Sequence, residues 1–495
     1  LDDGNVGGKA ADVAAFLAAL ADRLAGIGLV LHKGKCRVHC VDPDSAAIRS
    51  HFPDFTSFLP FSKLCVLGCP VGTPVEAAAY LRETFQLVRE RVQQVTFCPS
   101  HIGFTLLRQC LSFGPAVYYA RTVVPSPEVI SVFRDFDRFI WAATASLLQL
   151  PDSDDSRARL LSQLPVSRGG LGLRPVESVA PLAFLSSAFD AQHKHPSVLR
   201  ALRLDTIPDP AIASVLSGPC FTDISPASSL KASVSSWASG ASALPPSTRP
   251  QKYWTRKLDE IRFDAFVSSA DRKFRAILSS TSSKYASLWV CPPAHLIGHD
   301  TFLPDPEYLA LIKHRFGLPI HPHNYPCPMC KAEADAAGRH AQCCLKHGVR
   351  TRLHNDVVSS VTTLLRGAGL HCAPRELNVG GDNGKRIEIH CANMLLDGKE
   401  MVADVTIVYP LQDSYVGNAE VRPGTPGTVA TAAEKRKEDK YAVDCLRLGY
   451  AFVPVVFDTY GALGKQAVDI LRSLARRFSK RSNTHQSIGI PLAMS

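Results

Sequence analysis

Between residues 327 and 344 the chain reads CPMCKAEADAAGRHAQCC, and no other stretch restricts local folding so tightly. Cys327 and Cys330 are separated by two residues, so one tight knuckle can aim both sulfurs at a common point. His340 follows after nine residues and Cys344 after three more, which adds a nitrogen and a third sulfur. Zinc takes such ligands in a tetrahedron, at about 2.3 Å to sulfur and about 2.0 Å to nitrogen. With four protein ligands the site is closed, so its role is structural. Cys343 competes with Cys344 for the last position, and His347 and His354 are outlying candidates.

The remaining cysteines bear on compartment. There are fifteen in all, an odd number scattered through a chain that shows no basic and then apolar leader. They are expected as reduced thiols inside a cell, some of them holding metal. No apolar run approaches the roughly 20 residues needed to span a bilayer, so no membrane role is expected. Lys and Arg outnumber Asp and Glu 55 to 45, a formal charge of +10 that favours a polyanionic partner. With 495 residues and 46% hydrophobic content, several ordinary domain cores can be buried.

Periodicity gives a coarse map. Val13, Phe16, Leu17, Leu20, Leu24 and Ile27 recur at helical spacing, and GLVLHKGKC (28–36) and LCVLGCPVG (64–72) read as short strands. Leu81, Phe85, Val88, Val92 and Val95 begin a largely helical region to about 200, broken at Pro125 and at RGGLGLRP (168–175). Residues 205–250 shift to Ser, Ala and Pro and read as a connector, followed by a short helical region with Trp254, Ile261, Phe263 and Phe266 as core. Beyond the Cys/His cluster the expected order is a helix (352–366), strands near 385–391 and 401–409, a charged helix (433–448) and a strand (451–457), a small α/β domain.

Two acids in that last region stand out. Glu388 in KRIEIH and Asp404 in VADVTIVYP have fifteen residues between them and β-prone neighbours, as expected of carboxylates on adjacent strands. Asp404 is the stronger, because a carboxylate amid apolar residues is costly unless coordinated or paired. Lys437, Lys440 and Tyr441 share one side of the charged helix, where they could cover that sheet edge. Metal-dependent phosphodiester hydrolysis needs this combination of converging carboxylates and a nearby cation.

Together these segments resemble the carboxy-terminal portion of a non-LTR retrotransposon polyprotein, of the class joining a reverse transcriptase to a restriction-like endonuclease. LDDG (1–4) looks like the catalytic turn of the polymerase palm, GLVLHKGKC the next palm motif, and VLGCPVG the primer-grip hairpin with Gly68 in its turn. LLRQC (106–110), YYARTVVP (118–125) and LPVSRGGLGLR (164–174) are similar to the thumb and its extension. HRFGLPI (314–320), the Cys/His cluster, ADVTIVYPL, the KY pair and GYAFVPVVFDTYG match the endonuclease end.

The resemblance implies roles. Asp2 and Asp3 would be two of three carboxylates holding paired Mg2+ ions, with Lys35 near the phosphates of the incoming nucleotide. Glu388, Asp404 and Lys440 would form the nuclease core with Tyr441 beside them, Glu388 and Asp404 binding Mg2+, and Glu376 would add a helix-borne acid. Cys327, Cys330, His340 and Cys344 would hold structural Zn2+. Three departures qualify this. The third polymerase aspartate belongs to an upstream motif, leaving the polymerase site incomplete here. The first nuclease acid is Glu388 instead of aspartate, with Asp382 and Asp397 as fallbacks. Thr406 stands where simpler nucleases carry lysine, so the cation comes from the later helix.

The expected fold is therefore multidomain α+β: the C-terminal part of a reverse-transcriptase palm (1–75), a helical thumb and extension (76–204), a Ser/Pro-rich linker and helical connector (205–325), a zinc knuckle (326–350), a small α/β PD-(D/E)XK-like endonuclease domain (351–480) and a disordered tail (481–495). The expected activity is metal-dependent nicking of chromosomal DNA that primes reverse transcription of the element's own RNA, in the nucleus, with RRFSKR (476–481) as a basic run that could assist entry. The alternative is a decayed copy that only binds nucleic acid through its zinc element and basic surface. An unrelated zinc-binding adaptor is a third reading.

Overall fold

A computed structural model describes residues 4–153, 156–194, 227–238, 242–245, 248–292, 302–344, 346–379, 386–417 and 420–482. The chain divides into two compact units that interleave along the sequence: 1–91, 111–139 and 175–257 in one, 92–110, 140–174 and 258–495 in the other. No helix of the described residues is long and apolar enough to cross a membrane.

In the first unit, residues 28–36 form no strand, contrary to expectation; Lys33–Lys35 make one helical turn and Val30 is 89% exposed. An apolar run becomes a strand only where a neighbour takes its backbone hydrogen bonds. Here the pairing falls later, where Arg37–Cys40 runs parallel to Ser57–Pro60. LCVLGCPVG does form the expected hairpin, Cys65–Val66 against Cys69–Pro70. Its two-residue turn places Leu67 at φ 51° and Gly68 at φ 77°, the double left-handed geometry that suits the twist of a hairpin. The predicted stripe buries Phe85, whose ring lies 4.6 Å from Phe136.

The connector expected over 205–250 lies in part outside the described residues. Ala227–Ala238 is a helix, and Trp237 is buried against Trp254 and Phe189, with ring centroids 5.4 and 4.6 Å apart. Ser-rich composition had hidden three well-spaced apolar residues, Leu230, Val234 and Trp237, that suffice to bury one helical face.

The second unit packs helices around a mixed sheet. RGGLG is a close-packed turn: a Cβ at Gly170 would lie 2.1 Å from the Leu164 carbonyl oxygen, so only glycine fits. Arg315 of HRFGLPI is wholly buried beside it, and its Nη2 donates to the Val166 carbonyl at 3.1 Å and the Ser287 hydroxyl at 2.8 Å. One nitrogen of the guanidinium, Nη2, thus donates to acceptors from separate segments of the core.

Helix α1 (Val349–Gly367) leads into four strands, β1 (Cys372–Asn378), β2 (Arg386–Leu396), β3 (Lys399–Val408) and β4 (Tyr450–Asp458), in spatial order β4-β3-β2-β1. β1, β2 and β3 are antiparallel neighbours, whereas β4 runs parallel to β3. Parallel pairing needs a crossover, supplied by α2 (Thr428–Arg447). Helix α3 (Lys465–Ser482) follows. α1 and α3 cover one face, over Ile389, Met401, Ala403, Val405 and Val455. Tyr441 and Cys445 of α2 pack with Val402 and Phe452 in a separate cluster.

Sequence pattern did not reveal β1, because Pro374 interrupts it. β1 is an edge strand with a bulge between Pro374 and Leu377, where a missing N–H is tolerated. Glu376 is thus on a strand and not a helix. Cys372 and Cys391 face each other across β1 and β2 with Cα atoms 4.3 Å apart and form a disulfide, which corrects the expectation of reduced thiols throughout. Directly opposed residues at this spacing bring their Cβ atoms within bridging range.

Asp458 closes β4, accepting from the backbone N–H groups of Tyr460 and Ala462, both at 2.9 Å. Burial pushes its carboxyl up to about 6 from 3.8, against those hydrogen bonds. A folded-state pKa raised in this way contributes stability below the unfolded value that is lost as pH rises through the folded one. As pH rises from about 4 through the folded value of about 6, this group alone should lower stability by about 2 kcal/mol. Asp458→Asn keeps the accepting oxygen and should flatten that slope; urea unfolding of both proteins at pH 4.5 and pH 7.5 measures the difference, and parallel pH profiles would count against it.

Candidate metal centre and carboxylate site

The Cys/His cluster closes as its spacing predicts. The backbone N–H of Cys327 donates to Ala332 and that of Lys331 returns to Cys327, forming the knuckle, with Lys331 at φ 64°. Asp335 then accepts from the backbone N–H groups of Arg339 and His340, at 3.2 and 2.9 Å, and so orients the short helix Arg339–Cys343. Cys330 Sγ lies 3.1 Å from His340 Nε2, Cys327 Sγ lies 4.0 Å from Cys344 Sγ, and all four ligand atoms fall within 4.8 Å of one another. The backbone N–H of Cys330 holds the Cys327 thiol down at about 6, favouring the thiolate that binds metal. This Cys3His group could hold a metal such as zinc. The sulfur grouped with Cys327, Cys330 and His340 is that of Cys344 and not Cys343, and His354 lies beside Glu388 instead. The side chain of His347 lies outside the described residues.

That other site lies where β2 and β3 part. Their ladder ends at Ile389↔Ala403, and one step further the same register sets Glu388 opposite Asp404. Asp404 is 4% exposed. Its Oδ2 accepts from Lys437 Nζ at 2.8 Å and from the Thr406 hydroxyl at 3.1 Å. Glu388 Oε2 accepts from the Val405 backbone N–H at 3.1 Å, and His354 Nε2 lies 3.1 Å from Glu388 Oε1. Desolvation raises the Glu388 pKa and Asp404 raises it further; the Val405 hydrogen bond, His354 and Lys437 oppose the shift. Two carboxylates that repel in a half-buried notch, with one amine beside them, form an acidic pair that a cation would relieve.

The expected site residues separate into groups. Glu388 and Asp404 come together, and the amine that reaches them is Lys437. Lys440 stands over the Tyr441 ring at 4.7 Å, and Tyr441 is a buried member of the α2 cluster. Asp397 occupies the β2–β3 hairpin turn at φ 49°, at the opposite end of both strands from Asp404, so it cannot replace Glu388. Lys35 is exposed in the first unit. Asp2, Asp3 and Asp382 lie outside the described residues, as does the side chain of Glu376. The contact of His354 with Glu388, more than thirty positions away, carries no sequence signal.

No family model matches the chain. A stretch of 153 residues, 30% of the chain, is 29% identical to the Retrotransposable element SLACS 132 kDa protein of Trypanosoma brucei gambiense. The chain covers 13% of that protein's length. It is therefore distantly related to a retrotransposable-element protein.

Proposed function

We propose that the chain is part of a non-LTR retrotransposon protein acting in target-primed reverse transcription, and that the domain around the β1–β4 sheet nicks DNA. The observation that carries the reading is the meeting of Glu388, Asp404 and Lys437 where β2 and β3 part. Glu388 and Asp404 would hold a divalent cation such as Mg2+, which when bound supplies Lewis acidity and an activated water. Lys437 would meet the phosphate: its Nζ already lies at the Asp404 carboxylate and it is partly exposed, so it can turn toward an anionic oxygen. Thr406 keeps Asp404 oriented meanwhile. The Cys3His element and the formal charge of +10 support contact with the target duplex, and the polymerase reading rests on LDDG and the motifs after it.

A supercoiled plasmid incubated with the chain and Mg2+ should be converted to open circles, and a chelator should stop the conversion. The decayed-copy reading has its own support in the direct Lys437–Asp404 ion pair, which satisfies the acid without any metal. Under that reading the plasmid is bound in a salt-dependent way and stays intact.

A further inference from the structure

Resting on the nuclease reading above, we infer that His354 is a positioning residue that clamps Glu388 for cation binding. Past Ile389↔Ala403 the β2–β3 ladder stops, and the Val405 peptide facing the gap is satisfied by side chains. Its N–H donates to Glu388 Oε2 at 3.1 Å, and its carbonyl oxygen lies 3.0 Å from His354 Nε2. The same Nε2 is 3.1 Å from Glu388 Oε1. A nitrogen facing two acceptor oxygens must carry hydrogen, since a bare lone pair there would meet only other lone pairs. His354 therefore donates from Nε2, shared between the carbonyl and the carboxylate. Both Glu388 oxygens then have protein donors, one from β3 and one from α1.

This accounts for the glutamate. Glu388 carries one more methylene than aspartate, hence one more free torsion, and an unheld carboxylate would present a shifting ligand to a cation. The clamp removes that freedom, and α1 serves as its anchor because Val357, Val358 and Val361 fasten the same helix to the sheet. Residues behind a metal ligand act in this manner, and their loss typically weakens metal binding by about 10- to 100-fold.

The test uses the full, zinc-loaded chain. His354→Ala should raise the Mg2+ concentration for half-maximal nicking by about 10- to 100-fold, while the rate at saturating Mg2+ changes much less. His354→Gln can place an amide N–H near the Nε2 position and should recover most of the affinity; His354→Asn is too short and should not. If the alanine variant does not fold, the Gln and Asn pair gives the comparison. A second readout is free of catalysis: Mn2+ binding followed by electron paramagnetic resonance should weaken in His354→Ala by the same factor and recover in His354→Gln. In a Glu388→Asp background the shorter acid no longer reaches the imidazole, so His354→Ala should have little further effect. Mn2+ affinity unchanged within about twofold in His354→Ala, or equal loss in the Gln and Asn variants, overturns the clamp and leaves the nuclease reading standing. Mn2+ binding that follows His354 in a chain that never nicks DNA overturns the nuclease reading alone. Mn2+ binding that is indifferent to Glu388→Gln overturns both.

Discussion

Replacing Asp404 with alanine should abolish plasmid nicking, by about a thousandfold or more, while DNA affinity in gel shift changes little. A factor of a thousand is on the order of 4 kcal/mol, the scale expected when a carboxylate that organises both a cation and a neighbouring amine is removed. The loss should not come from unfolding: Asp404 is buried, but its partner Lys437 is partly exposed and keeps access to water once unpaired. The same assay ranks the two lysines. Lys437→Ala should cost about 100-fold, because this amine lies 2.8 Å from Asp404. Lys440→Ala should cost less: both amines stand over the Tyr441 ring, at 5.4 Å for Lys437 and 4.7 Å for Lys440, and it is Lys437 that lies at the Asp404 carboxylate. The reverse ranking, or nicking that survives Asp404→Ala, would sink the site described here.

Loss of the metal from the Cys3His element should have the second large effect. Structural zinc binds small domains with about 10–16 kcal/mol of apparent free energy near neutral pH, much of it spent on folding. Among the described residues, the apolar cluster around it is small, consisting of Cys327, Ala334 and Cys344 with three partly buried neighbours. A strong chelator, or Cys327→Ser, should therefore open residues 327–344 to proteolysis. The effect should spread, because Gln342 lies 3.3 Å from His314, whose ring stacks on Tyr460 at 3.9 Å just beyond β4. Elemental analysis should find zinc in the wild type and in Cys343→Ser, and none in Cys344→Ser. Zinc retained in Cys344→Ser would reopen the choice between the two sulfurs.

How much of this was legible beforehand varies by site. The grouping of Cys327, Cys330, His340 and Cys344 was legible because these residues lie within eighteen consecutive positions and a local knuckle brings them together, with Cys343 and Cys344 left to compete. Glu388 and Asp404 were readable as a pair because strand patterns flank both, and antiparallel pairing then sets them opposite. The amine was narrowed to one helix face but not to one residue, since Lys437 and Lys440 share that face and only the placement of α2 on β3 separates them. The strand expected at 28–36 failed for the opposite reason: apolar content marks what can be buried, and pairing decides what becomes a strand.

By itself, then, the sequence determined whatever depends on near neighbours along the chain: the Cys/His knuckle, the Leu67–Gly68 turn, most helices and three of the four strands of the final sheet. Tertiary structure alone decided what depends on distant segments meeting. His354 at Glu388, Lys437 at Asp404, Cys372 at Cys391 and Arg315 among the carbonyls of Val166 and its neighbours are all contacts of this kind. Their physical basis is packing of helices on a sheet, where the relative rotation and register of whole elements select which side chains touch, and local periodicity leaves that selection open.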